Sequence, residues 1–365
     1  MDVALSTIAV PRTLLRGERR PRVALVGRLR TGKSTLFRAA SSTSPQRQRL
    51  PHAGSDYREC VVDIGLEQIS LVDLPSIGSL HALTEHDQVV VKYLLWGDRW
   101  PPVAAHEAEQ PLAAFPPPDV LIQVVDATAL QRDLELTLEL CLLGKPLLIA
   151  LNRVDEARRK GVYINPRALA ERLGVPVVAT VAHMGLGLSE LFAAALQTAR
   201  EQVRPHTPTP SAHIDAALAP LRHCLARPEI EAAFRAPWPF LLMQLAENND
   251  YFFQELAMHL PQRLPEVLAA RAAAELQLPR TLSEELHADR HHRAATLFEN
   301  VSQFGGNADS RRWQRLLDRF FLHPQWGLSG SLLVFALVLL VVFEVSSALD
   351  AYTAAPLAAW AQEWT

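Results

Sequence analysis

The sequence predicts an α/β domain with a doubly wound sheet, followed by a small all-α region and one apolar helix. Three observations predict it. The stretch Gly27-Arg28-Leu29-Arg30-Thr31-Gly32-Lys33-Ser34-Thr35 follows the apolar run Val23 to Val26 and has the strand, Gly-x-x-x-x-Gly-Lys-Ser, helix order of a P-loop. Apolar runs alternate with helical patterns as far as Val203, the mark of parallel strands joined by crossover helices. The run Gly327 to Phe343 is 17 residues long and carries no charge.

The first strand is Val23 to Val26, and the loop after it is built for phosphate. Glycines let successive backbone N–H groups face one concavity at a helix N-terminus, where the helix dipole also favours an anion. Lys33, one of four lysines in the chain, would reach the β- and γ-phosphates, and the Ser34 hydroxyl would ligate Mg²⁺. A second strand, Ile69 to Asp73, ends in the carboxylate that a P-loop protein keeps on the Mg²⁺ side. A third, Val120 to Val125, ends at Asp126.

The fourth strand, Pro146 to Leu151, runs into Asn152-Arg153-Val154-Asp155, an Asn-x-x-Asp pattern. There a carboxylate accepts two hydrogen bonds from the N1–H and 2-amino group of guanine. Adenine lacks that donor pair, and an unmatched buried polar group costs about 1 to 3 kcal/mol. Helix capping after a strand is the other use of Asn152 and Asp155. The fifth strand, Val175 to Thr180, leads into Val181-Ala182-His183 and a helix from about Ser189 to Val203. All these candidates fall on loops at strand C-termini, where doubly wound sheets bind ligands.

Composition narrows the classes. A chain of 365 residues can bury two or three cores, and a net charge of −3 offers no field for nucleic acid. Three cysteines, Cys60, Cys141 and Cys224, are far apart and odd in number, which argues against a disulfide framework or a zinc site. Residues 1 to 20 hold arginines but no apolar core of a signal peptide.

The text Val124-Val125-Asp126-Ala127-Thr128, then Ala150-Leu151-Asn152 to Asp155-Glu156-Ala157, and Leu173-Gly174-Val175-Pro176-Val177-Val178 resembles the G domain of FeoB-type ferrous-iron transporters. The resemblance extends from about residue 21 to 350 and implies an α/β P-loop GTPase domain, a small all-α helical domain and one transmembrane helix. It implies GTP or GDP with Mg²⁺ as ligands. The implied nucleotide-binding set is Gly27, Arg28, Thr31, Gly32, Lys33, Ser34, Thr35, Asp73, Asn152, Arg153, Asp155 and Ala182, whose backbone N–H would lie near the guanine carbonyl. Ser34, Asp73 and Ser55 would hold Mg²⁺. Departures from the family are equally informative. Its P-loop reads Gly-Asn-Pro-Asn, and the second Asn helps hold an activating K⁺; Arg30 stands there instead, which makes it the candidate catalytic residue. The family's Asp-Leu-Pro-Gly is here Asp73-Leu74-Pro75-Ser76, and its Gly-Val-Thr is replaced by Gly54-Ser55-Asp56. Binding survives these changes better than switching.

The expected domains are an N-terminal extension (1–20), the G domain (21–204), a helical domain (205–305), a basic juxtamembrane connector (306–326), a transmembrane helix (327–350) and a tail (351–365). A Pro/Ala-rich stretch from Gly97 to Pro118 reads as an extended loop, and Pro205 to Pro210 as a linker. Helical patterns cover Ile214 to Leu225, Pro239 to Ala246, Tyr251 to Leu260, Leu264 to Leu276 and Leu282 to Phe304. His287 and His291 have a metal-capable spacing, although a solvated helix face is the simpler reading. The 23 positions from Gly327 to Leu349 span about 35 Å as a helix, enough to cross a bilayer core. No Lys or Arg follows Arg319, so the positive-inside rule puts the preceding domains in the cytoplasm of a bacterial inner membrane. Glu344 inside the span requires other helices or water. One helix cannot enclose a path for Fe²⁺, so further membrane chains or a homo-oligomer would complete the pore. Two functions follow: a GTP-binding module of a ferrous-iron transport system, or a membrane-anchored guanine-nucleotide-binding regulator with little hydrolysis and no transport of its own.

Overall fold

The computed structural model of the chain describes residues 20–41, 46–49, 56–81, 85–97, 116–304, 332 and 335–346. One compact unit ends at Phe304, and a second starts at Gly305. The first unit opens with β1 (Arg22–Val26), α1 (Lys33–Ala40), β2 (Gln46–Arg49), β3 (Asp56–Ile64), β4 (Glu67–Asp73) and α2 (Glu85–Trp96). It continues through β5 (Val120–Asp126), α3 (Leu130–Cys141), β6 (Leu147–Asn152), α4 (Val154–Arg159), β7 (Val162–Ile164), α5 (Pro166–Leu173), β8 (Val177–Thr180) and α6 (Leu188–Glu201). Then come α7 (Ala212–Ala217), α8 (Ala219–Leu225), α9 (Pro228–Phe234), α10 (Trp238–Ala246), α11 (Asp250–His259), α12 (Leu264–Glu275), α13 (Leu282–Val301) and β9 (Ser302–Phe304).

The main sheet has seven strands in the order β2-β3-β4-β1-β5-β6-β8. From β4 to β8 the neighbours are parallel, and every residue of β1, β5 and β6 is buried, as expected of strands covered on both faces. Val23 and Leu25 face α1 and α6, against Leu36, Phe37, Leu191 and Phe192. Ala24 and Val26 face the other way, into a cluster that includes α2, α3 and α5 and continues without interruption into α7–α13.

The doubly wound sheet is thus a mixed one. β3 runs antiparallel to both β2 and β4, an addition that the apolar-run reading did not anticipate. Alternation is hidden there because Arg58 and Glu59 sit in mid-strand with polar partners of their own. Ile214 to Leu225 is two helices rather than one: α7 and α8 meet at Leu218, just ahead of Pro220, whose ring has no N–H to continue the ladder. The last helical pattern ends at Val301, and Ser302–Phe304 instead pairs antiparallel with β7. α13 itself starts on a capping box formed by Thr281 and Glu284.

In the second unit, residues 335–346 are helical, and Leu337, Leu340 and Phe343 are all more than half exposed. Among the described residues no helix is long and apolar enough to cross a membrane. The flanks of the expected 327–350 span, the connector 306–326, the tail 351–365, residues 1–19 and most of the Pro/Ala-rich stretch lie outside the described residues.

Polar joints tie the segment after β4 to the helices. Glu139 of α3, only 2% exposed, accepts from the Ser79 hydroxyl at 2.9 Å and the Leu80 N–H, and its other contact is Arg290 of α13 at 3.1 Å. Arg290 also grips Glu247 at 2.7 Å, and Gln244 donates to the Leu80 carbonyl at 2.7 Å. Glu139→Ala would strip the buried Leu80 N–H of its acceptor and take from Arg290 one of its two carboxylates, a loss of about 3 kcal/mol. The urea midpoint of the chain should fall accordingly, and an unchanged midpoint would contradict this placement of Glu139.

Candidate functional site

The loop from Gly27 to Gly32 is shaped by three close approaches. A Cβ on Gly27 would stand 2.6 Å from the Val124 carbonyl of β5, so no side chain fits there. Gly32 has φ +93, and a Cβ on it would fall 2.2 Å from the Asn152 amide. Thr31, fully buried, turns its hydroxyl back to the Arg28 carbonyl at 3.1 Å. Gly32 then caps α1 without a side-chain hydrogen bond, and the first turn of that helix carries no acidic residue. Its leading N–H groups therefore face the loop unclaimed by a side chain, which makes an anion cradle.

Asn152 locks the cradle to the sheet. Its amide donates to the Thr31 carbonyl at 2.9 Å, while its oxygen accepts from the Ala182 N–H at 3.0 Å and the Thr180 hydroxyl at 3.4 Å. The Ala182 N–H expected at a guanine carbonyl is thus engaged by Asn152. Asp155, at the start of α4, has one carboxylate oxygen held by Arg159 at 3.0 Å. The other, Oδ1, is buried with no hydrogen-bond partner among the described residues. An acceptor in that state requires donors from something else. Between them Arg153 adopts φ 60 and reaches Asp126 at 2.8 Å.

At the opposite end of the cradle stands Asp73, 4% exposed at the end of β4. Lys33 approaches its Oδ1 at 2.6 Å and also donates to the Leu74 carbonyl. Burial holds the Lys33 ammonium below its ordinary value against the pull of Asp73. Ser34 donates to Asp73 Oδ2 at 3.2 Å, and Arg58 of β3 bonds that same oxygen. Ser34 and Asp73 therefore meet as the Mg²⁺ reading requires, but the described oxygen donors fit the ion poorly. Mg²⁺ demands six oxygens in near-octahedral array, whereas here one hydroxyl and one carboxylate already bonded by two cations are on offer. Ser55, the third expected ligand, lies outside the described residues. Thr35, next in α1, is half-buried and donates its N–H to the Gly32 carbonyl at 3.1 Å.

Two arginines of the loop point away from this centre. Arg30 holds φ 68 with its side chain exposed. Arg28 pairs with Glu135 of α3 at 3.0 Å, and His291 of α13 meets the other Glu135 oxygen at 2.7 Å. Burial works to raise the Glu135 carboxyl, yet His291 and Arg28 together hold it below its ordinary value. His291 is therefore a partner of a carboxylate, and among the described residues no group of His, Cys, Asp and Glu is arranged to hold a metal ion. Arg58 and Glu135 were missed by sequence reasoning. Nothing in the sequence marks Arg58, because its place opposite Asp73 follows from the β3–β4 register.

The sequence model of the family described as "Ferrous iron transport protein B" matches residues 21–195. The "Fe(2+) transporter FeoB" of Escherichia coli (strain K12) is 27% identical over 338 residues, covering 90% of this chain and 39% of its own length. The "Fe(2+) transport protein A/Fe(2+) transporter FeoB fusion protein" of Porphyromonas gingivalis is 33% identical over 171 residues, covering 47% of this chain and 18% of its own. Among solved structures, a mutant of S. thermophilus NFeoB bound to GDP superposes with a TM-score of 0.64 at 24% identity. That superposition covers 78% of this chain and all of the other, and it shows a shared fold. The chain spans well under half of the curated relatives it matches.

Asn152→Ala removes all three bonds that join the loop, β6 and β8. It should cost about 2 to 3 kcal/mol, since the Thr31 carbonyl and Ala182 N–H lose their partner. Thermal unfolding of the chain reads this directly, and an unaltered Tm would show that Asn152 does not carry the joint.

Proposed function

Because the chain belongs, over residues 21–195, to the FeoB type, we propose that it is the guanine-nucleotide-binding module of a ferrous-iron membrane transport system. The observation that carries the reading is the Asp155 Oδ1 atom, a buried acceptor without a donor. Guanine brings two N–H groups on one edge, and a single carboxylate satisfies both. The phosphates would lie over the Gly27–Thr35 loop, with Lys33 exchanging Asp73 for a phosphate oxygen. GTP or GDP is the ligand, and Fe²⁺ is the cargo of the assembly to which the module belongs.

The apolar stretch at 327–350 is read as a transmembrane anchor, with the preceding domains in the cytoplasm. Its support is the 17-residue uncharged run and the exposure of successive apolar side chains from Phe335 to Val345. Such a patch, left bare, is covered by lipid or by other helices. A pore for Fe²⁺ then needs other membrane helices, from further chains or from copies of this one.

One observation favours a second reading, a membrane-anchored nucleotide-binding regulator with little hydrolysis. Arg30 stands where the family has the Asn that helps hold its K⁺, and its side chain is exposed. A fixed positive charge repels the ion and, pointing to solvent, does not replace it.

Titration of the purified chain with labelled GDP and ADP should give GDP binding tighter by about 30-fold or more, the size expected when buried polar groups go unmatched. Equal affinities would defeat the guanine assignment. Asp155→Asn should lose GDP affinity and gain affinity for xanthosine diphosphate, because the new side chain offers a donor in place of an acceptor. Single-turnover hydrolysis should proceed at the same slow rate in KCl and NaCl, and strong stimulation by K⁺ would contradict the role given to Arg30.

A further inference from the structure

We infer that the Arg58 guanidinium stands in for the divalent cation at the Ser34–Asp73 end of the cradle, so that this chain binds guanine nucleotide phosphates without Mg²⁺. The inference rests on the guanine-nucleotide reading and deepens it.

Arg58 is installed by strand register rather than by a rotamer choice. β3 and β4 are antiparallel, and their alignment makes Arg58 and Asp73 direct cross-strand partners. The guanidinium bonds Asp73 Oδ2, the oxygen that also accepts from Ser34 at 3.2 Å, while Lys33 takes Oδ1 at 2.6 Å. Both oxygens of this buried carboxylate are therefore held by cations, and Arg58 keeps Oδ2 when Lys33 turns to a phosphate. On its other side the guanidinium lies 5.3 Å over the ring of Phe37, a fully buried residue of α1. Leaving Asp73 would break an ion pair and disturb a cation–π contact together.

Local charge points the same way. A divalent ion on Asp73 would sit directly beside a guanidinium that cannot lose its proton. Arg58 has the means to take over the ion's work. Its guanidinium carries five donors in a planar fork suited to phosphate oxygens, and its side chain is 32% exposed, so N–H groups not spent on Asp73 can meet a ligand.

The test uses the full chain, GDP and a non-hydrolysable GTP analogue, each titrated in EDTA and in excess Mg²⁺. The wild type should bind each nucleotide with the same affinity in both buffers, within about threefold. Arg58→Ala should lose affinity in EDTA by about tenfold or more and recover it when Mg²⁺ is added. Arg58→Gln, which keeps the length of the side chain without its charge, should behave in the same way. Mn²⁺ added to the nucleotide-loaded wild type should stay free by electron paramagnetic resonance, and in Arg58→Gln it should become bound. Tightening of the wild type by Mg²⁺ of about tenfold or more, or Mn²⁺ immobilised on it, overturns the inference. Because the wild type alone decides this, a variant that fails to fold does not rescue it. A chain that binds neither nucleotide in either buffer overturns the guanine reading itself, an outcome distinct from Mg²⁺-dependent binding.

Discussion

A single buried carboxylate, that of Asp73, sets the terms for the anion cradle. Leaving a charge in a site 4% exposed is costly unless cations and hydrogen bonds surround it. Lys33, Ser34 and Arg58 do so from two places in the chain: the first two from the N-terminus of α1, the third from β3. The pairing joins the loop after β1 to the hairpin of β3 and β4. Lys33 stands at the N-terminus of α1 with its charge spent on Asp73. Under the proposed reading, a phosphate would exchange one anion for another at Lys33, whose desolvation is already met by the fold.

α3 extends this constraint to the helices. Glu135 links the loop, through Arg28, to His291, and one turn further Glu139 links Ser79 and Leu80 to Arg290. Both helical partners lie on α13. Any movement of Arg28, or of the segment that follows Asp73, is therefore felt by the same helix at two adjacent residues, His291 and Arg290. The apolar packing reinforces this, since one cluster runs from the α2–α3 face of the sheet into α7–α13.

Much of this was legible in the sequence where backbone chemistry left little choice. Gly27 and Gly32 mark the loop because a Cβ at either position would strike Val124 or Asn152. The fully buried strands β1, β5 and β6 read as continuous apolar runs for the reason that both their faces are covered. Asn152 and Asp155 stood out by spacing alone, although the part of Asn152 as a brace between Thr31 and Ala182 did not. What stayed hidden depends on register and tertiary pairing. β3 places Arg58 and Glu59 in a strand interior, so its alternation is masked until Asp73 and Arg22 are seen as their ion-pair partners. α9 is too short for a period to show, and the stop of α13 at Val301 is set by the pairing of β9 with β7 rather than by a local breaker.

The central claim is that the loop after β1 and the carboxylate of Asp155 hold the two ends of one guanine nucleotide. A crystal structure of the chain with GDP bound tests it most directly. The account predicts the diphosphate over Gly27 to Thr35, Lys33 moved from Asp73 to a phosphate oxygen, and Asp155 Oδ1 within hydrogen-bond distance of guanine N1 and the 2-amino group. GDP seated elsewhere, or Asp155 Oδ1 still without a donor while GDP fills the cradle, would contradict it.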